Sequence, residues 1–258
     1  CIKLIITSIS FFFMKVVLFS AHPDDEVLGA GGLITRLKRE DTIEIINYSL
    51  TYGNPSQVDV RRNEVSAACK LLEIESKNAG LSLVEKTEIV SGKDEQKLRI
   101  PKDDTSIGIV LGIIQNEKPD IIITHHNNDA HPDHIAANYL VNSALKVYHP
   151  EVLVLFHRIW KDLSSPNLLV EISNEDLERK ANAMRYHESE VTRNIGLLDV
   201  FVYAHASTAP LLYCERILGW GCPNQGIKFA EPFEAVYNSD RRFSPRVISL
   251  KDKVNIVS

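Results

Sequence analysis

The sequence lacks the compositional biases that mark several specialised protein classes. Its 258 residues include only 12 glycines and 11 prolines, which excludes a collagen-like chain and a low-complexity protein. With 44% hydrophobic and 24% charged residues, it is also unlike a disordered chain or a coiled coil. We therefore expect a globular protein, and the length is sufficient for one large domain or two small ones with a sizeable core.

The sequence also lacks an excess of positive charge and a dense cysteine pattern. The 29 Lys and Arg residues are outnumbered by 34 Asp and Glu residues, so no net positive field would attract a nucleic acid. The four cysteines contain no C-x-x-C pair and are too few for a disulfide framework, so we expect a reducing, cytoplasmic location. A disulfide or a soft-metal site at Cys214 and Cys222 is the alternative.

No apolar run reaches the roughly 20 residues that a membrane-spanning helix requires. The apolar N-terminal segment stops at Lys15, and no small-residue cleavage site follows it before Ala21. We interpret Met14 as the natural start, residues 1–13 as a non-native or upstream extension, and residues 14–258 as a single domain. A mature lipoprotein, which also begins with Cys, is the alternative.

Strand and helix patterns alternate along the chain. Residues 16–19 form an apolar, β-branched run typical of a strand buried on both faces, and apolar positions within 29–39 then follow helical spacing. This order predicts an α/β fold with a doubly wound, Rossmann-like, mostly parallel sheet and a ligand site beyond the carboxyl ends of its strands. We expect the weakly patterned C-terminal third to cover the sheet and border the site. Further strands are predicted at 42–50, 120–124 and 152–157, and further helices at 59–73, 107–118, 134–147 and 174–187.

Two clusters of histidine and carboxylate residues follow the two clearest strands. The first is His-Pro-Asp-Asp-Glu at residues 22–26, and the second includes His-Pro-Asp-His at residues 131–134. Each cluster alone is common as a turn or a helix start. Together, after strands whose carboxyl ends meet at one sheet edge, they favour a polar site, because folding alone gives no reason to concentrate such groups there.

These residue types fit the requirements of a hydrolytic metal site. A catalytic zinc takes three nitrogen or oxygen ligands from the protein and leaves a position for water. His22, Asp25 and His134 would supply such a set. Asp24 would then be free to take a proton from water, and His131 would face the same space.

The two motifs also resemble those of the LmbE-like (PIG-L) zinc de-N-acetylases. The resemblance rests on residues 21–26, followed by Gly29 and Gly31-Gly32, and on residues 131–134, and weaker similarity extends from Lys15 to about Phe233. It implies a Rossmann-like fold and removal of an acetyl group from an N-acetylglucosamine-type sugar. The implied cofactor is zinc, with Fe(II) or Co(II) as alternatives, and the implied partner is a small N-acetylated sugar. A homo-oligomer is compatible with the sequence.

The resemblance implies a role for each residue of the site. It makes His22, Asp25 and His134 the metal ligands and Asp24 the general base. It makes His131 an imidazolium that stabilises the oxyanion or protonates the leaving amine.

Three further residues receive roles from the same resemblance. Asp133 would orient His131, and Arg61 would contact the substrate near the metal, with a solvated helix charge as the alternative for Arg61. His187 would contact the substrate, although Glu190 stands where the family usually has Gln.

Other functions are compatible with parts of the sequence. A nucleotide-binding module would use the glycines at 29–32, but their spacing is not G-x-G-x-x-G. An Fe(II)-dependent oxygenase uses the same types of metal ligand, and a catalytically inactive sugar-binding protein would keep the pocket. Trp220, Tyr213 and Phe233 are candidates for stacking on a sugar ring, with core packing as the alternative.

Overall fold

The computed structural model describes residues 14–194, 197–219, 226–239, 244 and 246–248. Residues 1–13, Trp220 and Cys222 lie outside this part, so the predictions made for them stay predictions. The described strands are β1 (Met14–Ser20), β2 (Ile43–Ser49), β3 (Glu75–Asn78), β4 (Val84–Val90), β5 (Lys93–Arg99), β6 (Ile121–His125), β7 (Leu153–His157), β8 (Leu168–Glu171), β9 (Ala230–Tyr237) and β10 (Arg246–Ile248). The described helices are α1 (Asp25–Leu37), α2 (Val58–Leu71), α3 (Asp104–Glu117), α4 (Pro132–Tyr148), α5 (Asn174–Met184), α6 (Glu188–Arg193) and α7 (Leu197–Leu218).

The central sheet has the strand order β10-β8-β9-β7-β6-β1-β2-β3. The pairs β1–β2, β1–β6, β2–β3 and β6–β7 are parallel, while β9 runs antiparallel to β7 and β8. The predicted α/β fold with a mostly parallel sheet is therefore confirmed. The chain moves outward from β1 through β2 and β3 and then returns to the other side of β1 with β6. The carboxyl ends of β1 and β6 thus form the crevice where doubly wound proteins bind ligands.

Apolar side chains cover both faces of the sheet. Val16 and Leu18 of β1 pack into one layer with residues of α1, α2, α5 and α7, while Val17 and Phe19 pack into the other with α3 and α4. Successive strand residues point to opposite faces, so a strand buried on both sides has a continuous apolar sequence. This is why the sequence predicts β1 so clearly.

Glycines inside α1 allow other parts of the chain to approach this helix closely. A Cβ atom at Gly29 would lie 2.2 Å from Nδ1 of the buried His157, and one at Gly31 would lie 2.8 Å from Cγ of Lys180. A Cβ atom at Gly32 would meet neighbouring side chains at a similar distance. These glycines lie within the helix and permit close packing, which argues against a phosphate-binding turn in front of the helix.

The sequence patterns do not predict two parts of the fold. The antiparallel hairpin of β4 and β5 lies between β3 and α3 along the chain, and its turn places both Ser91 and Gly92 at positive φ. In the C-terminal third, β8, β9 and β10 extend the sheet, and α7 has 22 residues. This third covers the sheet with α5 and α7 and borders the cavity, as expected, and it also adds strands, with β9 inserted between β7 and β8.

A polar cluster joins the end of α3 to the neighbouring strands β1, β2 and β3. Glu117 accepts hydrogen bonds from Lys15 Nζ at 3.0 Å, from the Tyr48 hydroxyl at 2.6 Å and from Lys77 Nζ at 3.1 Å. Partial burial alone would raise the pKa of Glu117, but these donors lower it to about 2. The ionised form of Glu117 is therefore stabilised in the folded protein.

Among the helices that the structure describes, including α7, none combines the length and apolar character needed to cross a bilayer. Cys69 and Cys214 are buried, whereas Cys1 and Cys222 lie outside the described residues. The alternative of a disulfide or metal site at Cys214 and Cys222 therefore stays open.

Candidate metal and catalytic site

The candidate site lies where β1 and β6 end, next to the first turns of α1 and α4. The loop after β1 carries His22 and Asp24, and α1 begins at Asp25. The loop after β6 leads to His131, and Pro132 occupies the first position of α4, as predicted. Asp24 has a φ of 102°, in the left-handed region that residues other than glycine rarely adopt. The fold therefore holds Asp24 in a strained conformation at the start of the helix.

The predicted metal ligands His22, Asp25 and His134 are neighbours in the site, with the carboxylate of Asp25 close to both histidine rings. Oδ1 of Asp25 is 3.2 Å from Nε2 of His134, and its Oδ2 is 3.7 Å from Nδ1 of His22. Two groups have donor atoms within 4.8 Å of one another: His22 with His131 and His134, and Asp25 with His125 and His134. Imidazole nitrogens and a carboxylate oxygen are the donors of catalytic zinc centres, so these residues fit a divalent metal ion. His125 is a further candidate ligand that the sequence analysis did not assign.

Asp129 fixes the orientation of His134 and connects it to the loop after β7. Its Oδ1 lies 3.1 Å from Nδ1 of His134 and accepts the backbone N–H of His131 at 2.9 Å. Its Oδ2 accepts the backbone N–H of Trp160 at 3.2 Å and lies 3.5 Å from Nε2 of His126. Metal-binding histidines commonly donate their second ring N–H to a carboxylate in this way. This contact directs Nε2 of His134 toward the candidate metal site.

Asp133 contacts a different histidine from the one expected. Its Oδ2 lies 3.0 Å from Nε2 of His22, and its Oδ1 accepts the backbone N–H of Ile100 at 2.9 Å. The expectation that Asp133 orients His131 is therefore not met, because its side chain extends from the first turn of α4 toward the loop after β1. Asp133 instead directs Nδ1 of His22 toward Asp25.

Asp25, His125 and His134 shift one another's pKa values. Burial alone would raise the pKa of Asp25, but the His134 and His125 rings hold it well below its usual value. Burial alone would lower the pKa of His134, but Asp25 and Asp129 raise it to about 10. The pKa of His125 falls to about 4, first because the ring is buried and then because His134 carries a positive charge. The carboxylates of Asp25 and Asp129 thus stabilise a positive charge on the His134 ring between them. A divalent cation bound at the same place would be stabilised by the same carboxylates.

Asp24 has the opposite electrostatic behaviour from its neighbour Asp25. Burial raises the pKa of Asp24 well above its usual value, and the charge of Asp25 adds to this increase, while Arg61 opposes it. The backbone N–H of Asp24 donates to Oε2 of Glu26 at 3.1 Å. A cavity-lining carboxyl group with a raised pKa is suited to take up a proton.

His131 lies in the site, and its surroundings favour a neutral ring over the expected imidazolium. Burial, together with the neighbouring His22 and His134 rings, lowers the pKa of His131 to about 4. Nδ1 of His131 accepts the backbone N–H of Asp133 at 3.2 Å, so the single proton of the neutral ring is on Nε2. The expected imidazolium is therefore replaced by a neutral hydrogen-bond donor near pH 7.

The structure places Arg61 at the site and His187 behind it. Nη2 of Arg61 donates to the carbonyl oxygen of Pro23 at 2.8 Å and lies 3.3 Å from Oε1 of Glu190, which also lines the cavity. His187 is completely buried, with Nε2 3.0 Å from Oε1 of Glu26, and it does not line the cavity. The expected substrate contact of His187 is therefore not supported, and its place is to support the loop after β1 through Glu26.

A cavity of 540 Å³ opens over the catalytic candidates. Its walls include residues from the β4–β5 hairpin and from the loops after β2 and β7. Tyr213 and Phe233 have no exposed surface and pack in the core, so they do not reach a ligand in this cavity. Its lining also includes Asn54, Gln96, Leu98, Trp160 and Asn194.

Several residues of the site carry no clear signal in the sequence. Asp129 and His125 belong to the second histidine-rich cluster, and their roles depend on contacts made in three dimensions, with the His134 ring and with the Asp25 carboxylate respectively. The Ser91-Gly92 pair is the signal that marks the hairpin, since such pairs favour tight turns between strands. Trp160 follows β7 without any motif, so only the structure reveals its place in the cavity.

The fold and the site define a doubly wound α/β protein with a candidate metal centre at its topological switch point. The family model for PIG-L, described as GlcNAc-PI de-N-acetylase, matches residues 17–145, which is half of the chain and includes both motifs. The chain therefore belongs to the PIG-L family, as the motifs predict. Deacetylases of this family are metalloenzymes, and the His/Asp groups described above are able to bind a metal ion.

Comparisons with individual proteins support the same family and fold. Diacetylchitobiose deacetylase of Thermococcus kodakarensis is 26% identical over 200 residues, which cover 70% of this chain and 72% of that protein. The structure of N,N'-diacetylchitobiose deacetylase from Pyrococcus horikoshii aligns with a TM-score of 0.63 and 21% identity over 87% of this chain and 84% of that one. The 4-carboxy-2-hydroxymuconate hydratase GalB from Pseudomonas putida KT2440 aligns with a TM-score of 0.63 and 17% identity over 89% and 99% of the two chains. At these identities the structural likeness shows the fold alone, and the fold is not restricted to deacetylases.

Proposed function

We propose that the protein is a metal-dependent hydrolase that removes an acetyl group from an N-acetylglucosamine-type sugar or glycoconjugate. The observation that carries this proposal is the convergence of Asp24, His131 and the candidate metal ligands on one cavity. Membership of the PIG-L family and the similarity to a diacetylchitobiose deacetylase support the class of substrate. The proposed ion is zinc, with Fe(II) or Co(II) as alternatives, because sites with nitrogen and oxygen donors accept all three.

The proposed metal ligands are His22, Asp25 and His134, oriented by the carboxylates of Asp133 and Asp129. A bound divalent ion would polarise the amide carbonyl and make a water molecule more acidic. The protein residues supply positioning and proton transfer. The two carboxylates keep the ring nitrogens directed into the site, which limits the reorganisation needed when a substrate binds.

The proton movements follow from the charges of Asp24 and His131. Asp24 would take a proton from the attacking water, since its raised pKa makes it a stronger base than an ordinary aspartate. The neutral His131 would donate a hydrogen bond from Nε2 to the developing oxyanion, but it holds no additional proton to release. Asp24 would therefore also return the proton to the leaving nitrogen as the carbon–nitrogen bond breaks. Arg61, beside Asp24, would contact the sugar.

The first experiment measures acetate release from a panel of N-acetylated sugars that includes N,N'-diacetylchitobiose. We expect acetate release that stops after chelation and returns when zinc is added. Full activity after complete metal removal would contradict metal dependence. Release of acetate from no member of the panel would contradict the proposed substrate class.

Asp24→Asn and Asp25→Asn separate two adjacent carboxylates with different proposed roles. Asp25→Asn should bind the metal more weakly, because a charged oxygen ligand becomes a neutral one. Asp24→Asn should retain the metal and lose turnover by roughly 10²–10⁴-fold, the usual contribution of a positioned general base. Metal content and kcat are measured for both variants. Metal loss in Asp24→Asn with metal retention in Asp25→Asn would reverse the two assignments.

The alternative functions predict different products. An Fe(II)-dependent oxygenase would consume oxygen during turnover, and an inactive sugar-binding protein would bind the panel without releasing acetate. A hydratase, which the fold of GalB makes relevant, would add water to a carbon–carbon double bond. Oxygen consumption and the mass of the product are therefore recorded in the same assays.

A further inference from the structure

Trp160 is a large aromatic side chain that remains exposed inside the candidate active-site cavity. It follows β7 by three residues, lines the cavity and is 47% exposed. Among the cavity-lining residues that the structure describes, it is the only tryptophan, tyrosine or phenylalanine. An exposed tryptophan in a cavity offers an apolar surface that a ligand can cover.

The ring of Trp160 is held in place by aromatic packing and by its backbone. Its ring centroid lies 5.2 Å from that of Phe201 on α7, and the Phe201 ring lies 3.6 Å from the ring of His205. The backbone N–H of Trp160 donates to Asp129 at 3.2 Å, and the next residue, Lys161, accepts a hydrogen bond from the His126 ring at 3.0 Å. A side chain ordered before binding loses little conformational entropy when a ligand covers it.

Asp129 connects this aromatic surface to the candidate metal centre. The same carboxylate contacts Nδ1 of His134 at 3.1 Å through Oδ1 and the backbone of Trp160 through Oδ2. The position of the Trp160 backbone relative to His134 is thus set through one side chain. A substrate that spans both features would have its reacting group and its neighbouring ring positioned together.

The remaining walls of the cavity suit a sugar. The amide side chains of Asn54, Gln96 and Asn194 line it together with Leu98 and several charged side chains. Amides both donate and accept hydrogen bonds, as sugar hydroxyl groups do. A cavity that offers an aromatic surface together with amides matches a pyranose ring, which presents C–H groups on its face and hydroxyl groups at its edge.

We propose that Trp160 is the stacking surface for the sugar ring of the substrate and thereby determines specificity for pyranosides over acyclic amides. This inference rests on the proposed function, because the stacked ring is the one that carries the N-acetyl group. Trp160 contributes to substrate binding and not to proton transfer. Its removal should therefore change KM and leave kcat nearly unaltered.

The test compares Trp160→Ala and Trp160→Phe with wild type on N-acetylated pyranosides and on an acyclic amide such as N-acetylethanolamine. For Trp160→Ala we expect KM for the pyranoside to rise about tenfold, which is what the loss of an aromatic contact of about 1.4 kcal/mol gives. Trp160→Phe should restore part of this loss, and kcat should change less than about threefold. Hydrolysis of the acyclic amide should be the same in all three proteins.

Tyr139→Ala is the matched control, since Tyr139 is 43% exposed but lies in a different cavity. It should leave KM unchanged. A purely structural role of Trp160 would lower kcat, metal content and acyclic turnover together, and that result would overturn the stacking proposal.

A binding measurement separates this inference from the proposed function. Chitobiose, the fully deacetylated disaccharide, is titrated calorimetrically into wild type and Trp160→Ala, so no turnover is needed. If wild type releases acetate while Trp160→Ala has unchanged KM and unchanged product affinity, the stacking proposal is wrong and the proposed function stands. If wild type binds chitobiose through Trp160 but releases no acetate, the proposed function is wrong and the stacking surface stands. No chitobiose binding to wild type would overturn the stacking proposal.

Discussion

Replacing Asp129 with Asn should weaken metal binding although every proposed ligand remains present. Asp129 accepts hydrogen bonds through both oxygens, from His134 and the His131 backbone on one side and from the Trp160 backbone on the other. Asparagine keeps one oxygen and places an NH₂ group where the second one was. In either orientation of the introduced amide, its NH₂ group faces N–H donors whose hydrogen bonds Asp129 accepts in wild type, either those of His134 and His131 or that of Trp160.

The size of the effect follows from what is lost. Each hydrogen bond to a charged acceptor contributes about 1.5–3 kcal/mol, and a buried N–H left without an acceptor costs about 1–3 kcal/mol. If the amide oxygen stays with His134, the backbone N–H of Trp160 loses its partner and stability falls. If the amide turns, the His134 ring loses its orienting acceptor. Loss of such a carboxylate partner typically lowers metal affinity by roughly 10- to 100-fold.

The assay measures zinc affinity by competition with a chelator, alongside the melting temperature with and without zinc. Asn128→Ala is the control, because Asn128 is the neighbouring residue and accepts an exposed hydrogen bond from Lys161. We expect weaker zinc binding for Asp129→Asn and wild-type affinity for Asn128→Ala. Wild-type affinity in a folded Asp129→Asn would refute the conclusion that this carboxylate organises the metal site.

Two further predictions concern stability. Gly29→Ala should destabilise the protein by about 1–3 kcal/mol, because the new Cβ would lie 2.2 Å from the buried His157 ring. Gly108→Ala is the control on α3, where a new Cβ would have nothing within 4 Å, and it should stabilise the protein by about 0.5–1 kcal/mol. Denaturant titrations measure both changes. Glu117 has a lowered pKa of about 2, so its contribution to stability is fully present above the ordinary glutamate pKa of 4.5 and is lost as the pH falls toward 2. Glu117→Gln should therefore lower the free energy of unfolding at pH 7 by at most about 3 kcal/mol, and the variant should lose less stability than wild type as the pH falls. The control Glu85→Gln, at an exposed position, should change neither the stability at pH 7 nor its dependence on pH.

The sequence predicts best those parts of the fold in which local pattern and final environment agree. β1 is buried on both faces, so its apolar run is unambiguous, and Pro132 marks the start of α4 because its fixed φ suits a first helical turn. The residues at the ends of β1 and β6 could be placed together because parallel strands bring their carboxyl ends to one edge. That residues 14–258 form a single domain stays a prediction.

The parts that the sequence does not predict depend on contacts between distant residues. The strands of the β4–β5 hairpin are largely exposed, so they lack an apolar face that would mark them. The sequence predicts that Asp133 orients His131, two residues before it, but its carboxylate reaches His22 across the crevice. The neutral state of His131 follows from burial beside two other imidazoles, which no local pattern encodes.

The first turn between a strand and a helix in a doubly wound fold often binds a phosphate, but the charges here require a cation. In nucleotide-binding proteins the backbone N–H groups at the helix start face an anion. In this protein Asp24, Asp25 and Glu26 occupy that start, and each is at most 8% exposed. A phosphate placed there would meet three buried carboxyl groups, and its repulsion would exceed the favourable effect of the helix dipole, which contributes only about 0.3–1 kcal/mol. The residues at the end of β1, and not the fold, therefore exclude a nucleotide at this position and favour a metal ion.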